Sequence, residues 1–470
     1  MGTVTLTAGQ VATASGGELL QGDPGQPIGR VSIDSRSLAP GDFFVALRGE
    51  RFDGHQFVAA ALAGGAAGAL VDTLPPDLAV RGGDSGPSMI RATDTTAALQ
   101  RVANDVRRRA GCPVVAITGS TGKTTTKEVT AAFLGTRYRV FRNHGNLNNH
   151  IGLPMSLLEL RDTPDVAVVE LGMNHAGEIR TLVGIAEPDI RVWTNVGDAH
   201  LGFFDSADAI ADAKGEILEA ATGDTRLIAN ANDPRITARI HAFPGRVTTF
   251  GIDVAADVEA RAVEPLGLDG MAADVHTAVG TARLRTPLLG MGNLANVLAA
   301  TAVAVSLGVP LDDIVSVAAA LNPASHRGEL LRLPGGVTLV DDSYNSSPAA
   351  LIRALETIAV ATGSARKAAV LGEMLELGGH SQRLHEACGR AVAAAGLNWL
   401  ITVGGAPAKA MADAAVAAGL PSSVVQYLPN REEAAAAALK IARPGDLVLV
   451  KGSRGIGTDF VVDRLRVEFA

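Results

Sequence analysis

The chain has 470 residues, of which 47% are hydrophobic and 19% charged, so it is a globular protein of roughly two to four domains rather than a disordered chain. Its formal net charge of −8, with no long run of lysine or arginine, argues against nucleic acid as a partner. Two distant cysteines, Cys112 and Cys388, form no disulfide framework, which suits the reducing cytoplasm. The N-terminus lacks the pattern of a signal peptide, and no apolar run is long enough to insert into a membrane.

The first part of the chain, residues 1–92, is predicted to form a small α/β domain. A strand-like segment at Gly41–Leu47 precedes an alanine-rich helix near Phe57–Ala67. Pro75-Pro76 and the glycine-rich segment 82–87 mark the end of this block. A helix with an Asp or Thr cap is expected to begin within Thr93–Leu99 and to open the next domain.

A strand, a glycine-rich loop and a helix follow one another between Val114 and Leu134, and this order is typical of a phosphate-binding loop. The glycines let backbone N–H groups close on a polyphosphate, and the helix N-terminus adds positive charge. Lys123 is expected to reach the β- and γ-phosphates of ATP or GTP, and Thr124 to bind Mg²⁺. The common form of the motif has a glycine where this chain has Ile117, so the loop is shorter. The alternative is a glycine-rich turn that binds nothing.

The second predicted domain, residues 93–322, alternates strands with helices and is expected to contain a parallel sheet. Its strands are predicted at Val114–Thr118, Val166–Leu171, Ile190–Val196 and Leu227–Asn230. Residues 253–288 alternate apolar and polar side chains around two turns, which predicts an antiparallel ribbon, and Asn293–Leu307 follows as a helix.

Three polar residues of this domain are candidates for chemistry. Glu170 ends an apolar strand, so it is either a Mg²⁺ ligand or an ordinary acid on the surface. His200 lies just past another strand end, where it is either a ligand or an exposed loop histidine. Lys214 reads as a solvated helix lysine, and its spacing gives no reason to single it out.

The third predicted domain, residues 323–470, reads as a doubly wound sheet of dinucleotide-binding type. Its strands are predicted at Val337–Asp342, Lys367–Leu371, Trp399–Val403, Val424–Leu428 and Asp446–Val450. The polar segment Asp341–Pro348 follows a strand, and it either recognises a polar ligand or forms a turn in which Ser347 or Asn345 caps a helix starting at Pro348. Gly452–Gly457 resembles a dinucleotide fingerprint, but the acidic residue expected about 20 positions later is missing.

Together these motifs resemble those of the Mur ligases, ATP-dependent amide ligases that build the peptide stem of peptidoglycan. The short loop at 118–125 resembles that family's phosphate loop, and three N-terminal motifs resemble its nucleotide-sugar domain: Asp34-Ser35-Arg36, Pro40-Gly41-Asp42 and Asp53-Gly54-His55. Four further segments are similar to the branch that adds D-alanyl-D-alanine: Gly145–Pro154, Asp341–Pro348, Leu371–Gly378 and Val450–Arg454. The Asp-Asn-Pro-Arg motif of the diaminopimelate-adding branch is not found.

The resemblance implies a role for individual residues. It implies ATP contacts for Gly119, Ser120, Thr121, Gly122, Lys123, Thr124, Thr125, Asn293, Asn296, Arg327 and Asp342. It implies two Mg²⁺ sites whose ligands are Thr124, Glu170, His200 and a carbamylated Lys214. It implies catalytic roles for Lys123, Lys214, His200 and Arg327, and substrate contacts for Ser35, Arg36, Asn149, Tyr344 and Asn345.

The resemblance also implies an activity. The expected reaction joins UDP-N-acetylmuramoyl-tripeptide to D-alanyl-D-alanine through an acyl phosphate, in a cytoplasmic monomer built as a three-domain α/β protein. Three alternatives remain open at this point. One is a related ligase that adds diaminopimelate, lysine or a glutamate tail, another is a P-loop kinase or regulatory NTPase, and the third is a nicotinamide dehydrogenase that uses the last domain.

Overall fold

The computed structural model describes residues 3–49, 52–74, 83, 86–198 and 201–470. The chain divides into two compact units. The first unit comprises Met1–Ala116, Tyr138–Met173 and Gly177–Ile190, and the second comprises Ile117–Arg137, Asn174–Ala176 and Arg191–Ala470.

Strands and α-helices alternate along most of the described chain. The strands are β1 (Leu6–Thr7), β2 (Glu18–Gln21), β3 (Pro27–Ile28), β4 (Val31–Ser32), β5 (Phe43–Val45), β6 (Gly68–Val71), β7 (Ser88–Arg91), β8 (Val114–Thr118), β9 (Val140–Arg142), β10 (Val166–Glu170), β11 (Ile190–Trp193), β12 (Arg226–Asn230), β13 (Arg246–Ile252), β14 (Val258–Pro265), β15 (Met271–Thr277), β16 (Gly280–Thr286), β17 (Glu329–Arg332), β18 (Thr338–Asp342), β19 (Arg366–Gly372), β20 (Trp399–Val403), β21 (Val425–Leu428) and β22 (Asp446–Lys451). The α-helices are α1 (Ala8–Ser15), α2 (Val58–Ala63), α3 (Thr95–Ala110), α4 (Lys123–Leu134), α5 (Gly152–Leu157), α6 (Glu178–Ala186), α7 (Ala207–Gly215), α8 (Pro234–Thr237), α9 (Gly290–Ser306), α10 (Leu311–Ala319), α11 (Pro348–Val360), α12 (Ser381–Ala394), α13 (Ala406–Ala417), α14 (Arg431–Ile441) and α15 (Asp459–Glu468).

The N-terminal part of the first unit is built on a five-stranded sheet in the order β2-β7-β6-β5-β4. Its strands are parallel except β2, which runs antiparallel to β7. The predicted helix near 57–67 is shorter than expected, because α2 stops at Ala63 before Gly64 and the left-handed Gly65. Helix α3 begins as predicted, with the Asp94 carboxylate accepting hydrogen bonds from the N–H groups of Thr96 and Ala97. Strands β9 and β10 form a parallel pair in the same unit.

The second unit contains a run of strands in the order β16-β15-β14-β13-β12-β11. Strands β12, β13 and β14 are parallel, whereas β14, β15 and β16 form an antiparallel ribbon. This ribbon confirms the alternation predicted over residues 253–288. Helix α9 is buried from Asn296 to Ala304 and packs against α4, which follows the glycine-rich loop. The predicted helix at 293–307 is therefore correct, although it begins three residues earlier at Gly290.

The C-terminal part of the second unit is a six-stranded sheet in the order β17-β18-β22-β19-β20-β21. Five strands are parallel, and only the edge strand β17 is antiparallel. Alternate side chains of β19 enter two different cores, since Ala369 and Leu371 pack with α11–α13 whereas Ala368 and Val370 pack with α14 and α15. Helices therefore cover both faces, which confirms the predicted doubly wound sheet.

The helices, the two cysteines and the glycine-rich segment near the C-terminus each bear on an expectation from the sequence. None of the helices in the described part of the chain combines the length and apolarity that crossing a bilayer requires. Both cysteines are buried as free thiols. The fingerprint-like Gly452–Gly457 follows β22 and leads into α15, with no later strand among the described residues, so it does not open a βαβ unit.

Candidate functional site

The glycine-rich loop connects β8 to α4 and has the backbone of a phosphate cradle. Gly119 and Gly122 have φ values of +153° and +81°, and Lys123 is the first residue of α4. A Cβ at Gly119 would lie 1.9 Å from Thr194 Oγ1, and one at Gly122 would lie 2.2 Å from Asn296 Oδ1. Both positions therefore require glycine. The loop ends on the N-terminus of a helix, whose N–H groups and dipole favour an anion, so the loop residues fit a nucleotide polyphosphate.

Asn195, which follows β11, holds the loop in place. Its Oδ1 accepts hydrogen bonds from the N–H group of Thr121 at 2.9 Å and from the Thr121 hydroxyl at 3.2 Å, and its Nδ2 donates to the Thr121 carbonyl at 2.9 Å. The backbone N–H of Ser120 donates to the Asn195 carbonyl at 3.0 Å. No motif in the sequence identifies Asn195 as part of the site. The only available signal was its position just after a strand that is expected to lie near the loop.

Lys123 and the first turn of α4 complete the loop. The Lys123 ammonium donates to the Gly119 carbonyl at 2.8 Å, which places its charge across the loop. Thr124 and Thr125 follow in the same turn, and Thr125 is buried. The predicted strand, loop and helix are therefore confirmed, and α4 begins directly after Gly122.

Asn293 and Asn296, two asparagines for which the resemblance implies ATP contacts, lie beside this loop on the first turns of α9. Asn296 Nδ2 donates to Asn293 Oδ1 at 3.2 Å, and Asn293 Nδ2 donates to the Leu289 carbonyl at 2.9 Å. Asn296 is buried, and its Oδ1 accepts a hydrogen bond from the Thr126 hydroxyl of α4 at 3.3 Å. Asn296 therefore joins α9 to α4 directly behind Gly122.

Lys214 occupies the last turn of α7 and is only 1% exposed. Burial, together with the positive charge of Lys123, lowers the pKa of Lys214 well below its ordinary value. The Lys214 ammonium therefore loses its proton more readily than an exposed lysine does, and the neutral amine is the nucleophilic form that can react with CO₂ to give a carbamate. The interpretation of Lys214 as a solvated helix lysine is wrong, because α7 turns this side chain into the protein.

A cation stacks on the polar segment that follows β18. The Arg327 guanidinium carbon lies 4.1 Å from the centroid of the Tyr344 ring, in a cation–π arrangement. Arg454 lies farther from the same ring, and its Nη1 donates to the Tyr344 hydroxyl at 3.4 Å. The structure thus brings together Arg327 and Tyr344, which were predicted from sequence segments 17 positions apart.

Lys451, at the end of β22, holds the polar segment that follows β18 through two hydrogen bonds. Its ammonium donates to Asp342 Oδ2 at 2.6 Å and to the Asn345 carbonyl at 2.9 Å, and the side chain is 3% exposed. Pro348 is the first residue of α11 and Ser347 occupies the cap position, as predicted, although the Ser347 side chain forms no capping hydrogen bond. Asn345 Oδ1 accepts a hydrogen bond from the N–H of Ser346 at 2.9 Å.

Glu170 lies in the first unit at the end of β10 and is 2% exposed, so the interpretation as a surface acid is wrong. Asn148 Nδ2 donates a hydrogen bond to Glu170 Oε1, and the N–H of Glu170 donates to Asn143 Oδ1 at 3.2 Å. The Asn148 amide therefore holds the carboxylate, and Asn143 holds the backbone of Glu170. Carboxylate oxygens are ligands that Mg²⁺ prefers.

Three residues with implied substrate contacts also lie in the first unit. Ser35 and Arg36 belong to a 3-10 turn that Asp34 caps, and Arg36 forms a two-point hydrogen bond with Asp34 at 2.9 and 2.8 Å. The Arg36 guanidinium lowers the pKa of Asp34 to about 2. Asn149 Oδ1 accepts hydrogen bonds from the N–H groups of Ile151 and Gly152, so it shapes the turn that enters α5.

His200 lies outside the described residues. Among the residues that the structure describes, no group of three or more histidine, cysteine, aspartate or glutamate side chains is arranged to hold a metal ion.

Comparison with protein families gives three matches that together span most of the chain. The model described as Mur ligase family, catalytic domain, matches residues 27–104, and the Mur ligase middle domain matches residues 117–304. The model described as Mur ligase, glutamate ligase domain, matches residues 326–454.

Individual relatives are similar over nearly their whole length. The UDP-N-acetylmuramoyl-tripeptide--D-alanyl-D-alanine ligase of Bacillus subtilis is 33% identical, with 93% of this chain and 92% of the relative covered. The crystal structure of MurF from Acinetobacter baumannii has a TM-score of 0.88 at 32% identity and covers 99% of this chain and 100% of its own. The structure of MurF ligase from Thermotoga maritima in complex with ADP has a TM-score of 0.82 at 27% identity, with 94% and 97% covered. The chain therefore belongs to the Mur ligase family and, within it, to the MurF group.

Proposed function

We propose that this chain joins the tripeptide carboxylate of UDP-N-acetylmuramoyl-tripeptide to the amine of D-alanyl-D-alanine, with conversion of ATP to ADP and phosphate. The proposal rests on the similarity to the Bacillus subtilis ligase, which aligns with this chain over more than nine-tenths of both sequences. The phosphate loop that such a ligase needs is intact in this chain. The ADP complex of the Thermotoga maritima relative supports ATP as the nucleotide.

The chemistry explains why a nucleotide site is needed. A carboxylate is a poor acyl donor, so transfer of the γ-phosphoryl group to it creates a mixed anhydride with a good leaving group. The amine then attacks the acyl carbon, phosphate leaves, and an amide bond forms. The protein contributes positioning and charge neutralisation. The loop N–H groups and Lys123 would bind the phosphates, and Arg327 would neutralise charge from the C-terminal part of the chain.

Mg²⁺ would be held by oxygen ligands. We propose Thr124, Glu170 and carbamylated Lys214, with His200 as a further ligand, at two sites. The buried Glu170 carboxylate, which Asn148 holds, and the buried Lys214 amine, whose pKa is lowered by desolvation, fit this assignment. The ions would supply electrostatic stabilisation of the transferring phosphoryl group.

The remaining assignments follow from the same proposal. We propose that residues 1–92 bind the UDP part of the substrate through Ser35 and Arg36, that residues 93–322 bind ATP, and that residues 323–470 complete the site. Asn149, Tyr344 and Asn345 would contact the substrates that are joined, and Asp342 would contact ATP. We also propose that the enzyme acts as a monomer in the cytoplasm, where its nucleotide substrates are found.

Phosphate release from ATP tests the function directly. We expect release only when UDP-N-acetylmuramoyl-tripeptide and D-alanyl-D-alanine are both present, together with a product whose mass equals that of the joined substrates. Release with diaminopimelate or lysine in place of the dipeptide would move the chain to another ligase of the family. Release that needs no amine at all would contradict the ligase assignment and favour an NTPase.

A further inference from the structure

Helix α11 approaches the N-terminus of α9 over two glycines. A Cβ at Gly290, whose φ is +81°, would lie 2.8 Å from Thr357 Oγ1. A Cβ at Gly292 would lie 3.4 Å from Arg353 Nε. Arg353 and Thr357 are four positions apart and therefore share one face of α11. The absence of side chains at the two glycines lets this face lie close to the turn of α9 that carries Asn293.

A positively charged side chain on the same face of α11 contacts the phosphate loop. Arg353 Nη2 donates a hydrogen bond to Thr121 Oγ1 at 3.2 Å, across 232 positions in sequence. The Thr121 hydroxyl in turn donates to Asn195 Oδ1, so Arg353 is linked to the part of the loop that Asn195 fixes. Since only one of its guanidinium nitrogens is used in this bond, other donors remain available for a ligand.

The charge of Arg353 is not neutralised locally. No carboxylate of the described residues lies within ion-pair distance of its guanidinium. Glu356 and Asp342 are near enough to act on it electrostatically, but Asp342 is already paired with Lys451. More than a third of the Arg353 residue is exposed. An accessible arginine beside a glycine-rich loop and a helix N-terminus is a receptor for phosphate oxygens, which guanidinium groups bind through two parallel donors.

We propose that Arg353 is a nucleotide-binding residue that contacts the β- or γ-phosphate of ATP from helix α11. Its position is different from that of Arg327, whose guanidinium stacks on Tyr344. The proposal rests on the proposed function only in requiring that the loop binds ATP. Arg353 would then be a second phosphate-binding arginine in the C-terminal part of the chain. Gly290 and Gly292 leave the space that α11 needs to bring it close to the loop.

Nucleotide affinity tests the proposal. We would measure the dissociation constants of ATP, ADP and AMP by calorimetry, with Mg²⁺ present, for the full-length wild-type protein and for Arg353→Ala. A charge-assisted hydrogen bond contributes enough that its loss should weaken ATP and ADP binding about tenfold. AMP, which lacks the β- and γ-phosphates, should bind as it does to the wild type. Arg353→Lys keeps the positive charge but loses the planar guanidinium group. Its dissociation constants for ATP and ADP should therefore lie between those of the wild type and those of Arg353→Ala.

The control is Arg464→Ala, which removes an exposed arginine from α15 and should change none of the three constants. Unchanged ATP and ADP affinity in Arg353→Ala would overturn the proposal. Equal weakening of ATP, ADP and AMP would also overturn it, because that result would mean that Arg353 only supports the packing of α11 on α9. Failure of the wild-type protein to bind ATP would refute the proposed function instead, so the two failures are distinguishable.

Discussion

Asn195 and Thr121 form a reciprocal pair, in which one side-chain amide accepts from the Thr121 N–H and donates to the Thr121 carbonyl, both at 2.9 Å. The pair ties the end of one strand to the middle of the phosphate loop. Because a loop residue keeps its backbone geometry only while such partners are present, the shape of the phosphate cradle depends on a residue 74 positions away.

Replacement of Asn195 tests this dependence. Asn195→Ala should raise the KM for ATP by about tenfold and lower the free energy of unfolding by about 1–2 kcal/mol, since two backbone groups lose their partners. Steady-state kinetics and urea denaturation would measure the two effects. Asn232 is a matched control, because its amide forms the same reciprocal pair with Ile252, at 2.8 and 2.9 Å, on an exposed turn. Asn232→Ala should lose comparable stability and keep its KM, and an equal KM rise in both variants would refute a specific role for Asn195.

Lys123 should be needed for turnover and not for folding. Lys123→Ala removes the cation that lies across the loop, so kcat should fall at least about a hundredfold, whereas the thermal unfolding midpoint should stay close to that of the wild type. Phosphate-release assays and circular dichroism would measure both. Lys409→Ala is the control, since it removes a lysine from an exposed pair with Asp413. Near-normal turnover in Lys123→Ala would rule out the phosphate-loop assignment.

Lys214 should be needed for activity because its proposed carbamate would be an anionic ligand of Mg²⁺. We expect Lys214→Ala to lose most of its activity and to regain part of it when formate or acetate is added, because a small carboxylate can enter the vacated space and replace the carbamate oxygens. The assay is phosphate release across a range of carboxylate concentrations. Lys123→Ala should not respond to the same additions, which separates rescue at one site from general activation by salt. Full activity without any addition would exclude Lys214 from the metal site.

His385 should make stability depend on pH. It is completely buried, its Nε2 accepts from the Met374 N–H at 2.9 Å, and its Nδ1 donates to the Ser381 carbonyl at 2.7 Å. Burial lowers the pKa of His385 below the ordinary 6.5. Between the lowered pKa and 6.5 the unfolded chain binds a proton that the folded chain does not, so the free energy of unfolding should fall as the pH drops through this window.

Urea denaturation above and below pH 6.5 measures this effect. His385→Gln keeps one donor and one acceptor without a titrating group, so its free energy of unfolding should vary less with pH than that of the wild type. His276→Gln, at a half-buried position of β15, should retain the wild-type pH dependence. The same slope in His385→Gln and in the wild type would show that another group is responsible.

Much of the secondary structure could be predicted from the chain itself. Strands β8 and β20 have the bounds that the apolar runs indicate, because a short buried strand flanked by glycine or polar residues is a strong local signal. The strand predicted over 190–196 ends early, at Trp193. The next two residues leave the strand because Thr194 and Asn195 bond to the phosphate loop, and local propensity carries no information about that partner.

The site residues divide in the same way. Gly119, Gly122 and Lys123 were predictable because glycine conformation, a helix N-terminus and a lysine within a few positions define a phosphate loop locally. Lys451 and Arg353 could not be predicted as members of the site, since each depends on a partner more than a hundred positions away.

By itself, the sequence determined the phosphate loop, the alternation of strands and helices, and the family, because all of these rest on short patterns of side chains in fixed order. Only the tertiary structure decided which polar groups are buried and which ones meet. The lowered pKa of Lys214 is the clearest case, since it results from burial and from the nearby charge of Lys123. The desolvation that lowers this pKa depends on every atom packed around the amine in three dimensions. The local sequence around Lys214 carries no information about those neighbours.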